Sequence, residues 1–338
     1  MPFIADILPY HSLSIIGTEK NTGKTECLNY VLGRLQHTGK RVGVTSIGID
    51  GEQTDQVSQT AKPEIALYKN MLFATSEKHY KMRQIVSEVV GIGREATGLG
   101  RVVTAKTHSS GKVLLSGPAT NAALGRLMDD MRLQHGVDLC LVDGALSRKS
   151  AASPALSQAT ILATGAAYSA SLPVLLRHTC YIYDLICLEQ VSSEWANALS
   201  SKQGIWAKDA QDHWHALSCS SAFQMEPSEN LGQYGKCFYL SGALNNRFLQ
   251  AAMQACGQGT EIIVSDFSKI FVQAELFYDY LRRGGKMQVL QKTKLIAVCV
   301  NPTSPSGYIL HSEKLVAALE EKLGIPVYDI KKEGLSCN

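Results

Sequence analysis

A chain of 338 residues in which hydrophobic residues make up 45% and charged residues 19% has the composition of a globular protein, which excludes collagen-like repeats, coiled coil and wholesale disorder. The formal net charge of +3 comes without a run of five or six Lys and Arg, so we expect neither nucleic acid nor a membrane as a partner. The nine cysteines form no Cys-x-x-Cys pair. Together with an N-terminus unlike a secretory signal, this predicts a cytoplasmic protein with reduced thiols.

Strand-like apolar runs alternate with helical patterns from the N-terminus onward. In order, we predict a strand at 12–16, a helix at 24–36, a strand at 41–46, a hairpin of strands 101–107 and 112–116, a helix at 121–134, strands at 138–142 and 159–163, and a helix within 172–189. This alternation is typical of βαβ units. We therefore predict the α/β class: a mostly parallel sheet with helices on both faces, in a Rossmann-like arrangement.

Between residues 191 and 236 the regular alternation stops. Trp195, Trp206 and Trp214 all fall in this stretch, among scattered Ser, Gln and Asp. Alternation resumes with strands and helices at 237–240, 246–256, 261–265, 270–283, 294–300, 312–323 and 327–330. We therefore predict that residues 1–190 and 237–338 form a nucleotide-binding core, and that residues 191–236 form an irregular insertion or small subdomain.

The strongest functional signal is a loop between the first predicted strand and the first predicted helix. Its residues are Gly17, Thr18, Glu19, Lys20, Asn21, Thr22, Gly23, Lys24 and Thr25. In a P-loop, backbone N–H groups bind phosphate oxygens, the lysine reaches the β- and γ-phosphates and the hydroxyl holds Mg²⁺. We therefore predict that the whole loop binds ATP or GTP, with Lys24 catalytic and Thr25 a metal ligand. Thr18 occupies the position of the first glycine of the usual motif, and Gly17 lies one residue earlier.

Two acidic residues follow predicted strands. Asp143 ends the apolar run 138–142, where a P-loop protein carries the carboxylate that holds Mg²⁺ directly or through water. Asp50 follows the second strand, where we expect a residue that senses the γ-phosphate and the metal, although Glu52 or Asp55 could serve instead. We assign Asp143 and Asp50 to the metal site and Asp50, with Lys24, to catalysis. The alternative for both is an aspartate that only forms a turn.

The spacing from Gly17 to Thr25 resembles the loop of dethiobiotin synthetases and so the SIMIBI group of P-loop proteins. The signature lysine of that group would fall at Glu19, and Lys20 lies one residue away. Near the C-terminus, the strand that ends in Asn301 and Pro302 resembles the element with which this group binds adenine. The resemblance implies that Asn301 hydrogen-bonds the base and Pro302 walls it, which favours ATP; a proline-containing turn is the alternative.

A closer resemblance extends over most of the chain. It is carried by the opening motif, by Asp143-Gly144-Ala145-Leu146-Ser147-Arg148 and by Ile161-Leu162-Ala163-Thr164-Gly165-Ala166. These segments resemble the small ATPase-like subunit of the reactivating factor for lysine 5,6-aminomutase, found in bacteria that ferment lysine. The resemblance implies a slow Mg²⁺-dependent ATPase that helps to restore an adenosylcobalamin-dependent aminomutase, with that client and a second ATPase subunit as partners.

Other functions stay open at this point. One alternative is an ATP-dependent ligase that resembles dethiobiotin synthetase, and another is a nucleotide-responsive structural partner that barely hydrolyses ATP. A ligase would be expected to carry a lysine or arginine after the second strand, but the chain there is Ser-Ile-Gly-Ile-Asp-Gly-Glu at residues 46–52. This acidic stretch disfavours a carboxylate substrate. The sequence leaves the oligomeric state open, a homo-oligomer included.

Overall fold

The structure is a computed structural model that describes residues 2–48, 64–144, 152–224 and 231–335. The chain forms two compact units. The first contains Met1–Thr179 and Leu295–Asn338, and the second contains Cys180–Lys294. The second unit is therefore inserted between two parts of the first.

The first part of the chain alternates strands with helices and ends in a helix that continues across the boundary between the units. Its elements are α1 (Ile4–Ile7), β1 (Ser12–Gly17), α2 (Lys24–Leu35), β2 (Val42–Ser46), β3 (Ile65–Leu67), β4 (Leu72–Ser76), α3 (Glu77–Lys81), β5 (Ser87–Thr97), β6 (Gly100–Thr107), β7 (Gly111–Val113), α4 (Asn121–His135), β8 (Leu139–Asp143), β9 (Ala159–Gly165) and α5 (Leu172–Ile186). Thr120 caps α4 by accepting a hydrogen bond from the Ala123 N–H, and Gly136 ends that helix in a left-handed conformation.

The second unit is built around a sheet of its own. Its elements are α6 (Ser193–Leu199), β10 (Ile205–Lys208), β11 (Trp214–Ala216), β12 (Cys237–Leu240), β13 (Leu244–Asn245), α7 (Asn246–Cys256), β14 (Glu261–Val264), β15 (Ile270–Phe271), α8 (Ala274–Arg282) and β16 (Lys286–Val289). Five strands form a sheet in the order β11-β10-β12-β14-β16, in which β12, β14 and β16 are parallel and β10 and β11 are antiparallel to their neighbours. This unit is therefore itself α/β.

The chain then returns to the first unit with β17 (Lys294–Asn301), α9 (Ser312–Leu323), β18 (Val327–Asp329) and α10 (Ile330–Leu335). The nine strands of the main sheet follow the order β18-β17-β9-β1-β8-β2-β4-β6-β5. Strands β9, β1, β8, β2 and β4 run parallel, as do β17 and β18, whereas β6 and β5 are antiparallel additions at one edge. The main sheet is thus mostly parallel, as predicted, and β1 lies near its middle.

Helices cover both faces of the main sheet. Leu141 on β8 packs in the same core cluster as Leu28 of α2, whereas its neighbour Cys140 packs with Met131 of α4. Successive side chains of a strand point to opposite faces, so α2 and α4 lie on opposite sides. Strand β1 is buried at every position, as expected for a parallel strand covered on both faces. This arrangement confirms the predicted α/β class.

Two predictions about organisation differ from the structure. The predicted segments 1–190, 191–236 and 237–338 do not coincide with the two units, because β12, β14 and β16 pair within the separate five-stranded sheet. The predicted hairpin at 101–107 and 112–116 does not form, because β6 pairs with β4 and β5 while β7 pairs with β3. Periodicity identifies strands, but their partners are set by contacts distant in sequence.

One smaller difference concerns a helix. The predicted helix at 270–283 begins at Ala274, because Ile270 and Phe271 form a short strand that pairs with β13. In the described parts of the chain, no helix is both long enough and apolar enough to cross a lipid bilayer.

Candidate functional site

Residues 17–25, which we call the 17–25 loop, join the C-terminal end of β1 to the N-terminal end of α2. The backbone N–H of Thr18 donates to the carbonyl oxygen of Ala163 on β9, at 2.9 Å. Asn21 and Gly23 take left-handed backbone conformations, with φ of 60° and 99°. Asn and Gly tolerate this region better than other residues. These two positions therefore let the chain reverse and enter α2 within a few residues.

Gly17 gives the side chain of Lys24 room to fold back over the end of β1. A Cβ atom added to Gly17 would lie 2.6 Å from Oγ1 of Thr22 and 2.7 Å from Cγ of Lys24. Thr22 is fully buried, and its hydroxyl donates to the carbonyl oxygen of Glu19 at 2.8 Å. The space that a side chain at position 17 would fill is thus occupied by the stem of Lys24 and by the Thr22 hydroxyl. The stem of Lys24 therefore packs against Gly17, at the start of the same loop.

The N-terminus of α2 opens onto the same loop. The first hydrogen bond of the helix is donated by the Cys27 N–H to the Gly23 carbonyl, at 2.9 Å. The N–H groups of Lys24, Thr25 and Glu26 precede that bond and point out of the helix end. Gly23, the N-cap residue, makes no side-chain cap. The end of this 12-residue helix therefore presents N–H groups and the positive end of a helix dipole, which suit an anion.

Asp143 lies at the same edge of the sheet. It ends β8, the strand between β1 and β2, and is opposite Ile15 on β1 and Ser46 on β2. The Gly144 N–H donates to the Ile15 carbonyl at 3.0 Å, and the Ser46 hydroxyl donates to the Asp143 carbonyl at 3.1 Å. Neighbouring strands are about 4.8 Å apart. The half-buried Asp143 is therefore held one strand away from the strand that leads into the loop.

Asn301, at the end of β17, lies against the other end of the 17–25 loop. A Cβ atom added to Gly23 would lie 2.8 Å from Cβ of Asn301. The Asn301 carbonyl accepts the Ala166 N–H at 2.9 Å, and its side-chain Oδ1 accepts the Thr303 N–H at 3.2 Å. The next residue, Pro302, is buried. The structure thus brings Asn301 and Pro302, distant in sequence, to the loop.

The remaining loop residues divide into two sets. Thr18 and Thr22 are buried, with 3% and 0% exposure, whereas Glu19, Lys20 and Asn21 are exposed. One carboxylate oxygen of Glu19 accepts the Lys20 N–H at 2.9 Å. The buried threonines shape the loop from below, and the three exposed residues face solvent at its tip. Asp50, with its alternatives Glu52 and Asp55, lies in 49–63, outside the described residues, so its assigned catalytic and metal roles stay predictions.

The donor set at this edge suits a hard cation. Thr25, half-buried in the first turn of α2, supplies a hydroxyl, and Asp143 supplies a carboxylate. Mg²⁺ prefers oxygen ligands, keeps several waters and binds proteins through one or two carboxylates. Within the part of the chain that the structure describes, no three His, Cys, Asp or Glu residues cluster in a way that would hold a metal ion. A threonine hydroxyl and one carboxylate are oxygen ligands of the kind that Mg²⁺ takes from a protein when phosphates and waters complete its coordination.

Sequence analysis assigned no role to two buried threonines below the loop. Thr164 is the next-to-last residue of β9, and Thr179 lies on α5. The hydroxyl of Thr18 donates to that of Thr164 at 3.2 Å, and the hydroxyls of Thr164 and Thr179 lie 2.8 Å apart. The signal in the sequence was a threonine directly before Gly165, at the end of a strand without charged residues. The pairing of β9 with β1 brings Thr164 within hydrogen-bonding distance of Thr18, and the sequence alone does not show this contact.

Two cavities of about 340 Å³ lie away from the loop. One is lined by His11, Ser12 and residues of α4, at the edge where β1 begins rather than ends. The other lies in the second unit, beside Tyr280 and Arg283. In parallel α/β sheets, ligands bind at the carboxyl ends of the strands. We therefore place the candidate site at the 17–25 loop, at the carboxyl ends of the parallel strands.

The comparisons with known proteins add no family to this geometry: no family model, curated protein or solved structure matches the chain.

Proposed function

We propose that this chain binds Mg²⁺–ATP at the 17–25 loop and hydrolyses it slowly, as an accessory protein for an adenosylcobalamin-dependent aminomutase. One observation carries the nucleotide part of the proposal. The stem of Lys24 lies against Gly17, where an added Cβ would be 2.7 Å from Lys24 Cγ, at the N-terminus of a helix that follows a tight strand-to-helix loop. A lysine ammonium and a helix N-terminus directed to one place suit the phosphates of a nucleotide.

The chain's own residues would divide the work as follows. The N–H groups at the start of α2 bind phosphate oxygens, and the Lys24 ammonium neutralises charge on the terminal phosphates. The Thr25 hydroxyl and the Asp143 carboxylate orient the metal, Asp143 directly or through water. Bound Mg²⁺ supplies positive charge that stabilises the departing phosphate oxygens. Catalysis then depends on positioning and charge rather than on a covalent step.

The choice of ATP is supported by the placement of Asn301. Its side chain lies against Gly23, and Pro302 follows it as a buried residue. A primary amide offers both a donor and an acceptor, which matches the hydrogen-bonding edge of adenine. We therefore propose that Asn301 and Pro302 bind the base while the N–H groups at the start of α2 and Lys24 bind the phosphates.

The client is proposed from the sequence resemblance to the reactivating factor of lysine 5,6-aminomutase. The geometry is compatible with a helper protein in one respect. Glu19, Lys20 and Asn21, at the tip of the loop, are exposed, so a partner subunit or client can reach the edge of the nucleotide site. Contact with a partner would then alter loop residues directly, which is how a helper ATPase couples nucleotide turnover to its client.

The nucleotide proposal is tested by Lys24→Ala. We expect the affinity for Mg²⁺–ATP, measured by calorimetry, to fall on the order of a hundredfold, because the variant removes a phosphate-neutralising charge. The fold should persist, since Lys24 lies at the loop and not in the apolar core. Lys40→Ala is the matched control, because Lys40 is an exposed lysine beyond the end of α2. Equal affinity for Mg²⁺–ATP in well-folded Lys24→Ala and Lys40→Ala would contradict the assignment of the 17–25 loop as the phosphate site.

A further inference from the structure

Thr18 breaks the usual motif at the position where a glycine is expected. Its side chain does not point to solvent, as that of the following residue Glu19 does, but turns inward and is only 3% exposed. A hydroxyl without a hydrogen-bond partner in such a place would cost free energy. The buried hydroxyl of Thr18 therefore needs a hydrogen-bond partner inside the protein.

The partner is a short chain of buried hydroxyls. Thr18 Oγ1 donates to Thr164 Oγ1 at 3.2 Å, and Thr164 Oγ1 lies 2.8 Å from Thr179 Oγ1. Thr164 and Thr179 are fully buried. The Thr164 hydroxyl therefore accepts a hydrogen bond from Thr18 and shares a second one with Thr179, in which either hydroxyl can donate. Thr179 lies on α5, so a helix fixes the rotamer of Thr164, and Thr164 in turn fixes Thr18.

The backbone supports the same contact. The Thr18 N–H donates to the carbonyl of Ala163, the residue before Thr164, at 2.9 Å. Two consecutive residues of β9 therefore hold the N–H and the hydroxyl of Thr18. The first peptide of the 17–25 loop is anchored at two points to the neighbouring strand. Its position sets the path of the chain toward Thr22 and Gly23.

We propose that Thr164, oriented by Thr179, is a positioning residue for the nucleotide site. It accepts a hydrogen bond from the Thr18 hydroxyl. This contact holds the loop in its binding conformation at the position where the usual motif has its first glycine. The inference rests on the proposed nucleotide function and adds a determinant of affinity that lies below the loop. Thr164 acts through Thr18 and contacts no phosphate.

The same pair of strands contains a matched control. Ser14 on β1 and Thr160 on β9 are opposite each other, and their hydroxyls lie 2.7 Å apart. Both are fully buried. This hydroxyl pair is chemically similar to Thr18 and Thr164 but lies farther back along β1 and β9, away from the loop. A loss of buried hydrogen bonding alone should therefore affect both pairs alike.

The experiment compares Thr164→Val, Thr164→Ser and Thr160→Val in the full chain. We expect Thr164→Val to weaken Mg²⁺–ATP binding roughly tenfold, because the Thr18 hydroxyl loses its acceptor. Thr164→Ser keeps the acceptor and should restore affinity to within about twofold of the parent. Thr160→Val should lower the melting temperature as Thr164→Val does, with unchanged affinity. Calorimetry gives the affinities and thermal unfolding gives the stabilities.

A double-mutant cycle covers the case in which Thr164→Val folds poorly. Thr18→Val removes the same hydrogen bond from the loop side, and its effect on ATP affinity should not add to that of Thr164→Val or Thr164→Ala. Equal ATP affinity in Thr164→Val and Thr160→Val, in a protein whose binding is lost in Lys24→Ala, would overturn this inference alone. Failure of the unaltered chain to bind ATP would overturn the proposed function, and this inference with it.

Discussion

At the residue scale, the role proposed for Asp143 depends on the strand that it ends. The side chain follows a buried strand and lies one strand from β1, and its own carbonyl is held by the Ser46 hydroxyl at 3.1 Å. These contacts fix the backbone of Asp143 and so place its carboxylate at the end of β8. In the proposed function, a carboxylate at this position would orient the metal.

The variant Asp143→Asn should therefore separate hydrolysis from binding. We expect turnover to fall about 10- to 100-fold, because the metal loses a charged orienting ligand, while ATP affinity changes little since the phosphates keep their N–H donors. Asp138→Asn is the control at the other end of β8, where the Asp138 carboxylate accepts the Arg41 N–H at 2.8 Å. Turnover and affinity are compared at saturating magnesium. Parent-like turnover in Asp143→Asn would reduce Asp143 to a residue that ends a strand.

The site residues that the sequence predicts are those marked by a motif of a few consecutive residues. The 17–25 loop and Asp143 are local patterns, and the structure places them at one edge of the sheet. Asn301 lies far along the chain, and only its resemblance to a known element indicated a role. Thr164 could not be assigned, because its partner Thr18 lies in the loop that follows another strand and no charge or spacing marks it. Asp50 stays a prediction outside the described residues.

At the scale of elements, a carboxylate links two helices of the second unit. The Tyr278 hydroxyl on α8 donates to Oδ2 of Asp184 on α5, at 2.6 Å. Burial raises the pKa of Asp184 above its ordinary value of 3.8, and the hydrogen bond from Tyr278 partly opposes this rise. An acid whose pKa is raised by folding costs stability as pH rises from its unfolded pKa to its folded pKa. The free energy of unfolding should therefore fall as the buried acid ionises, although the Tyr278 hydrogen bond itself favours the ionised form.

Two variants test this in opposite directions. Asp184→Asn keeps an acceptor for Tyr278 but cannot ionise, so its melting temperature relative to the parent should rise between about pH 4 and about pH 7. Tyr278→Phe removes the hydrogen bond that lowers the pKa of Asp184, so its relative melting temperature should fall over the same interval. Thermal unfolding across that pH range gives both differences. Parallel curves for the parent and Asp184→Asn would contradict the raised pKa.

Elements themselves were predicted well where periodicity is strong. The structure has β12 at Cys237–Leu240, α7 at Asn246–Cys256 and α9 at Ser312–Leu323, with the bounds that the sequence predicts. The strand β5 (Ser87–Thr97) was missed, because its glycines and charged residues break the alternation of a half-buried strand. The predicted hairpin depends on the turn-like residues Ser109, Ser110 and Gly111 that follow β6. In the structure β6 instead pairs with β5, which precedes it in the chain.

At the scale of the whole molecule, the proposed role as a helper predicts a dependence on partners. ATP hydrolysis by the isolated chain should be slow and should rise when the client and the second ATPase subunit are present, because contact completes the exposed edge of the site. Phosphate release would be measured with the chain alone, with a panel of small metabolites, and with lysine 5,6-aminomutase inactivated during turnover plus the second subunit. Stimulation by one metabolite only, with no recovery of the mutase, would support a ligase instead.

The division of the first unit between two stretches of chain has a consequence for biosynthesis. Strand β9 lies between β1 and β17 in the sheet, and the second unit separates β9 from β17 in sequence. At ordinary rates of translation, the intervening segment takes on the order of ten seconds to emerge from the ribosome. During that interval β9, buried throughout in the finished protein, is an open apolar edge, the kind of strand on which nascent chains aggregate. Arrival of β17 would cover this edge and deliver Asn301, so the nascent chain would lose its aggregation hazard and complete the proposed nucleotide site in one event.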